Sequence, residues 1–281
     1  MTVRGAALRV RDEGDAANPP VLLLHGIARS LEDWAPVQER LSSSWRTIAV
    51  DLPGYGLSDR LPGRAGLPSL ADGVLATLDA LGEHRPLHVM GNSLGGAVAM
   101  RLLCDAPGRV ATLTLVASAG FGKEVIVNLR ALAVPLLGRR LLRRFDERAA
   151  RRVERSLFHD RSHATPERVA FAVRAFGRAD FVSVFLETAK ELGTVRGVRP
   201  AWRRDLLAAV AAHPRPTLLV WGERDLILPS AHLAAARTAF PDARWHLFPA
   251  TGHMPQIERA DEFAELASDF LTAHPVARDR T

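Results

Sequence analysis

A serine hydroxyl becomes a useful nucleophile near neutral pH only when a base takes its proton and donors receive the charge its attack creates. The stretch Gly91-Asn92-Ser93-Leu94-Gly95-Gly96 sets one serine apart from the others in the chain. It reads G-x-S-x-G, between an apolar run, Leu87-His88-Val89-Met90, and a small-residue helix from Ala97. That is the strand-to-helix context in which the pattern makes a sharp nucleophile elbow. The turn leaves no room for a Cβ at Gly91 or Gly95, and Gly96 lets the new helix pack close to neighbouring strands. Ser93 is expected at the apex, strained and with its hydroxyl exposed. Free N–H groups and the positive end of a helix dipole lie just behind it.

The elements that must position such a serine alternate along the chain. Strands are expected in Ala6 to Arg11, Val21 to Leu24, Thr47 to Asp51, Leu87 to Met90, Val110 to Val116, Thr217 to Trp221 and Trp245 to Phe248. Helices are expected over Glu32 to Leu41, Leu67 to Leu81, Ala231 to Phe240 and Glu258 to Leu271. Between Glu124 and His213 the pattern is helical, with no convincing strand. Alternating strands and helices give a parallel sheet covered on both faces, whose ligands sit outside the carboxyl ends of the strands. His25, Asp51, Ser93, Asp225 and His253 each follow an expected strand, so all five should gather along that one edge.

The 281 residues suffice for one large domain or a domain with an insertion, and 47% are hydrophobic. No apolar run approaches a membrane span, so no stable membrane insertion is expected. The N-terminus has no apolar signal core, and a lone cysteine, Cys104, allows no disulfide within the chain. Both features fit a cytoplasmic protein. Cys104 reads as a small core residue. The net charge is +6, and Ala119 to His213 holds about nineteen basic against ten acidic side chains. No aromatic interleaving accompanies them, so a solvated helical face is expected and nucleic acid is not. No His/Cys/Asp/Glu cluster has metal-ligand spacing and no nucleotide-binding glycine pattern occurs, so no metal and no cofactor is expected.

Four segments together resemble the α/β-hydrolase fold superfamily. They are Leu24-His25-Gly26, Asp51-Leu52-Pro53-Gly54-Tyr55-Gly56-Leu57-Ser58, the elbow, and Gly222-Glu223-Arg224-Asp225 with Gly252-His253. The resemblance implies an α/β fold: an eight-stranded, mostly parallel sheet with helices on both faces and a helical cap after the sixth strand. The boundaries expected are 1–118 and 214–281 for the core and 119–213 for the cap. The superfamily's chain order of nucleophile, acid and base falls on Ser93, Asp225 and His253. His253 would then take the serine proton, and Asp225 would hold its far nitrogen and tolerate its charge. The backbone N–H of Leu94, after the nucleophile, and that of Ile27, after His25-Gly26, would form the oxyanion hole.

Glu223, two residues before Asp225, is the rival acid. Asp51 and His25 are expected to order their loops, and His246 to be structural. His213, His232 and His274 have no context. A serine at position 93 argues against the epoxide-hydrolase and dehalogenase branches, whose nucleophile is an aspartate. Gly252 to Phe263 looks like the end of the meta-cleavage-product hydrolases, which split C–C bonds, except that Met254 stands where those enzymes usually carry tryptophan. Cofactor-free haloperoxidase-like esterases share most of the motifs. The leading reading is therefore a serine hydrolase that cleaves a carboxylic ester of a small or medium apolar substrate through an acyl-enzyme. C–C hydrolysis is the alternative, and a ligand-binding or receptor-like protein with little turnover is a third.

Val125 to Leu137 is unusually apolar for a surface insertion, and Arg139, Arg140, Arg143 and Arg144 follow at once. Either the apolar face packs on the core and the arginines are solvated, or the face lines the substrate entrance with arginines at its rim. Pro135 should end or kink the helix between the two parts.

Overall fold

The computed structural model describes residues 1–142 and 145–276. Its centre is a seven-stranded sheet. In chain order the strands are β1 (Val10–Glu13), β2 (Pro20–Leu24), β3 (Arg46–Val50), β4 (Leu87–Asn92), β5 (Val110–Val116), β6 (Thr217–Gly222) and β7 (Arg244–Phe248). Across the sheet they run β7-β6-β5-β4-β2-β3-β1, with β1 antiparallel to β3 and every other pairing parallel.

Seven strands stand where eight were expected. The N-terminal segment spends its first hydrogen bonds on a separate hairpin, Thr2–Val3 against Ala6–Ala7, and joins the central sheet only at Val10. The order reverses at β2, which pairs with β3 on one side and β4 on the other. A crevice opens at such a switch point, because the loops leaving β2 and β4 depart toward opposite faces.

The strands read as continuous apolar runs because both faces are covered. Leu22 and Leu24 point to one face, against the helices α2 (Leu67–Ala80) and α3 (Leu94–Asp105). Val21 and Leu23 point to the other, against α1 (Ala35–Leu41) and, near the C-terminus, the helix Ala260–Thr272. All four are fully buried, and truncating one such leucine to alanine costs about 2–5 kcal/mol. Cys104 is half-buried against the first of these cores, and burial pushes its thiol pKa up.

Between β5 and β6 lie α4 (Val127–Leu132), α5 (Pro135–Leu142), α6 (Glu147–Leu157), α7 (Pro166–Phe176), α8 (Phe181–Leu192) and α9 (Pro200–Ala211). A short antiparallel hairpin, Gly193–Thr194 with Gly197–Val198, interrupts the helices where none was expected. Its first strand is entered through Gly193 and its return through Gly197 at φ +109°, where a Cβ would strike the Lys123 carbonyl. The break foreseen at Pro135 is present: α4 stops at Leu132 and the proline opens α5. Arg143 and Arg144 lie outside the described residues. The remaining helices are α10 (His232–Ala239), α11 (Pro255–Glu258) and α12 (Ala260–Thr272).

Candidate functional site

Ser93 sits between β4 and α3 at φ 55°, ψ −115°. A non-glycine residue held there stores about 1–3 kcal/mol of strain. The neighbourhood enforces it. A Cβ on Gly91 would come 2.3 Å from the Gly95 carbonyl oxygen, and one on Gly95 would come 2.2 Å from that of Leu24. The Ser93 N–H donates to the Val116 carbonyl at 2.9 Å, which anchors the turn to β5. The side chain is nearly buried but borders open space on two sides, described below.

His253 and Asp225 meet at the same edge. The imidazole Nδ1 lies 2.7 Å from Asp225 Oδ2, and both side chains are buried. The other carboxylate oxygen accepts from the Ile227 and Leu228 N–H groups at 2.8 and 2.9 Å. A carboxylate so held takes the proton on Nδ1 as its donor and leaves Nε2 with a free lone pair. The loop that carries Asp225 is braced in turn by Trp221, whose Nε1–H donates to the Leu228 carbonyl at 3.0 Å. Glu223 is turned away: it is exposed, pairs with Arg224 at 3.3 Å and accepts from the Ala250 N–H.

The histidine loop is tied to the insertion through its backbone. The His253 N–H donates to the Leu157 carbonyl at 2.7 Å, and the His253 carbonyl accepts from Asn92 Nδ2 at 3.1 Å. Glu258 closes this junction. One of its oxygens accepts from the Gly252 N–H at 2.6 Å, and the other from the His159 and Asp160 N–H groups at 3.0 Å each.

His25 and Asp51 shape the loops rather than meeting Ser93. His25 Nε2 accepts from the Leu52 N–H at 2.9 Å while Nδ1 donates to the Gly26 carbonyl at 2.7 Å. Burial lowers the pKa of this imidazole, although Asp51 pulls the other way, so it stays neutral in the two-sided role that the bonds require. Asp51 accepts from the Leu31 and Leu57 N–H groups at 2.7 and 2.8 Å. Together they hold the loop through Ile27 beside the elbow, where a Cβ on Gly26 would lie 3.3 Å from that of Ser93. Leu94 opens α3 on the other side of the serine. His246 packs on Phe248, His274 bonds the Phe270 carbonyl, and His232, buried beside Gly122, meets Glu124 at 3.1 Å.

Ser93 and His253 open on a cavity of about 330 Å³. Its walls come from the insertion and are mainly apolar, including Leu129, Leu132, Leu142, Phe176 and Phe185, with Met254 beside the histidine. A second, apolar chamber of about 80 Å³ also touches Ser93 and Ile27 and ends against Trp202. A substrate with two apolar parts on either side of a carbonyl would fit this division.

A buried ionic cluster at one wall was not anticipated from the sequence. Arg29, two residues past Ile27, donates twice to Asp33 at 2.8 Å and also binds Glu154 of α6. Arg168 of α7 donates to the same Asp33 at 2.6 Å. Burial works against the Arg29 charge, but Asp33 and Glu154 outweigh it and hold the guanidinium above its usual range. Burial likewise opposes the Asp33 charge, and the two arginines keep its carboxyl below the usual range. Only the i, i+4 spacing of Arg29 and Asp33 was available in the sequence as a signal. Glu154 is 125 positions away from Arg29.

Among the described residues, no group of three or more His, Cys, Asp or Glu side chains could hold a metal ion, and no helix is long and apolar enough to cross a membrane. Comparison with known proteins gives the lineage. The model of the alpha/beta hydrolase fold matches residues 19–260. A dihydrolipoyllysine-residue acetyltransferase component of the acetoin cleaving system from Pseudomonas putida is 33% identical over 97% of this chain and 68% of that protein. A meta-cleavage product hydrolase from Pseudomonas fluorescens IP01 is similar in structure, with a TM-score of 0.81 at 24% identity, over 97% of both chains. A thermophilic esterase from Thermogutta terrifontis is similar with a TM-score of 0.77 at 25% identity, over 96% of this chain and 95% of the other.

Proposed function

The chain belongs to the α/β-hydrolase fold family, and from that premise we propose that it is a serine hydrolase acting on a carboxylic ester of a small or medium apolar substrate. The observation that carries the reading is the His253–Asp225 bond of 2.7 Å at the sheet edge that also holds the strained Ser93. In this mechanism Ser93 Oγ attacks the ester carbonyl while His253 Nε2 takes its proton. The N–H groups of Ile27 and Leu94 receive the oxyanion. The tetrahedral adduct collapses, the C–O bond to the alcohol breaks, and the imidazolium returns its proton to the leaving oxygen. Water, deprotonated by the same imidazole, then cleaves the acyl-serine and releases the acid. Asp225 fixes the tautomer and stabilises the imidazolium without taking the proton itself. The insertion, residues 119–213, acts as the cap that shapes the acyl and alcohol sites, and Leu132 is part of the wall that an acyl chain would touch.

C–C bond hydrolysis is the second reading. The segment Gly252 to Phe263 and the likeness to a meta-cleavage product hydrolase favour it, while Met254, fully buried against the cavity, departs from it. A panel of p-nitrophenyl esters of increasing chain length, run beside one dienoate C–C substrate, separates the two. Turnover of esters with none of the dienoate supports the first reading, and the reverse supports the second. Ser93→Ala should abolish turnover and labelling by a fluorophosphonate. Labelling of the variant at the wild-type rate would remove Ser93 from the mechanism, and a wild-type protein that neither labels nor turns over any substrate would favour the ligand-binding alternative.

A further inference from the structure

The exposed face of α6 carries Arg148, Arg151, Arg152 and Arg155, all at i, i+3, i+4 and i+7 spacing and all in solvent. With Arg161 they line a surface groove of about 460 Å³ whose described lining contains no acidic side chain. Like charges stacked along one helix face destabilise it. Glu147 relieves only Arg151, at 2.7 Å, and the other four arginines make no ion pair with any described residue. The groove adjoins the catalytic cavity. Arg152 and Ser156 border both spaces. Exposed apolar side chains stand on both sides of this boundary: Leu141 and Val153, 48% and 42% exposed, line the cavity, and Leu226, 63% exposed, lines the groove.

We propose that this groove is an anion subsite and that the substrate is an amphiphile: an apolar segment fills the cavity at Ser93, and a terminal phosphate or carboxylate rests among the arginines. The inference rests on the ester-hydrolase reading and adds the class of substrate. Guanidinium groups present paired donors that match the oxygens of either anion. Four of the five have no ion pair with a described residue, so no paired acid offsets their charge toward a ligand. The exposed apolar side chains at the boundary explain why a charged end would come with a hydrocarbon chain: a free ion gains nothing from Leu141, Val153 and Leu226. The occupant proposed is a single soluble molecule, not a lipid surface.

The test reads binding, so it does not depend on turnover. Ser93→Ala protein is titrated calorimetrically at low ionic strength with hexyl phosphate, hexan-1-ol and inorganic phosphate. Hexyl phosphate should bind about tenfold or more tighter than either fragment. That advantage over hexanol should fall about tenfold when Arg148→Gln and Arg155→Gln are added together, and should fade in 0.5 M NaCl as the charges are screened. The double lysine variant, Arg148→Lys with Arg155→Lys, keeps the charge and should retain most of the advantage, which guards against mere misfolding of the glutamine variant. In the wild type, hexyl phosphate should also slow fluorophosphonate labelling of Ser93. Several results would overturn the proposal: equal affinity for hexyl phosphate and hexanol, an advantage that survives the glutamine variant, or inorganic phosphate binding as tightly as the alkyl ester. So would an effect seen only with anionic phosphatidylglycerol vesicles, which would make the groove a membrane contact. Failure to hydrolyse any ester, with the binding pattern intact, would count against the ester reading and not against the subsite.

Discussion

Asp225, behind His253, and Glu154, in the wall of the cavity, are both buried carboxylates, and the molecule holds them in different ways. Asp225, in the sheet core, is fixed by two backbone N–H groups of its own loop before it meets His253. Glu154, in the insertion, is fixed by the side chain of Arg29, with Arg168 3.7 Å away. Backbone donors cannot swing away unless the loop itself rearranges, so the first arrangement fixes the orientation of the carboxylate that meets the imidazole. Guanidinium groups on flexible stems bind tightly but can release together. The core therefore uses main chain where orientation matters, and the seam between core and insertion uses charge where adhesion matters.

Five changes, with Glu223→Gln as a control, would break or sharpen this contrast. The largest effect is expected at Asp225. On the proposed mechanism Asp225→Asn lowers kcat by about 10⁴-fold, because an amide in that backbone cradle favours the wrong imidazole tautomer. Glu223→Gln should cost less than about threefold, and steady-state rates that rank the two the other way would refute the assignment. Glu154→Ala leaves two partly buried arginines with the buried Asp33 alone. A loss of about 3–5 kcal/mol in urea unfolding is expected, with little loss if the seam is more hydrated than its burial suggests.

His88 probes the sheet interior. Burial holds its imidazole down to about 4 from 6.5, and Nδ1 bonds Thr112 at 2.9 Å. Its folded pKa is depressed, so its contribution is intact above pH 6.5. It is then lost as the pH falls toward 4 and the unfolded chain takes up the proton first. Unfolding free energies measured across that window should drop by an amount on the order of 3 kcal/mol, and His88→Gln should flatten the drop. In the insertion, Leu132→Asp should raise KM for octanoyl esters by about tenfold or more while sparing acetyl esters. Equal losses on both would return that segment to a purely structural part. Apart from the Glu223 control, the smallest effect is expected at Glu258, which joins the two regions. Glu258→Gln cannot accept on both sides as the carboxylate does, so a fall in kcat of about tenfold with KM little changed is expected. A change in KM alone would place Glu258 in the cap and not in the alignment of His253.

Much of this architecture is legible in local pattern. The strand Val110–Val116 has the bounds of its apolar run, and the stretch from Glu124 to His213 is mainly helical, as its pattern implies. Where local pattern misleads, a distant partner is involved. The apolar spacing from Glu258 to Leu271 reads as one helix, but the chain breaks at Arg259 (φ −131°, ψ 44°), after Glu258 has turned to serve Gly252, His159 and Asp160. The N-terminal hairpin and the hairpin at Gly193 to Val198 are too short for alternation to register.

The sequence by itself determined the strand-helix order, the elbow glycines and the placement of Ser93, Asp225 and His253 after strands. Each of these depends on neighbours a few positions away, on the two- and 3.6-residue periods and on the absence of a Cβ. Only the tertiary structure decided which carboxylate faces His253, that Arg29 is paired with an acid of α6, and that Arg152 of α6 borders both the cavity and the groove. Those outcomes depend on how helices 100 residues apart in the chain dock across the sheet edge, and the energy that selects among dockings comes from burial and charge pairing that no local window contains.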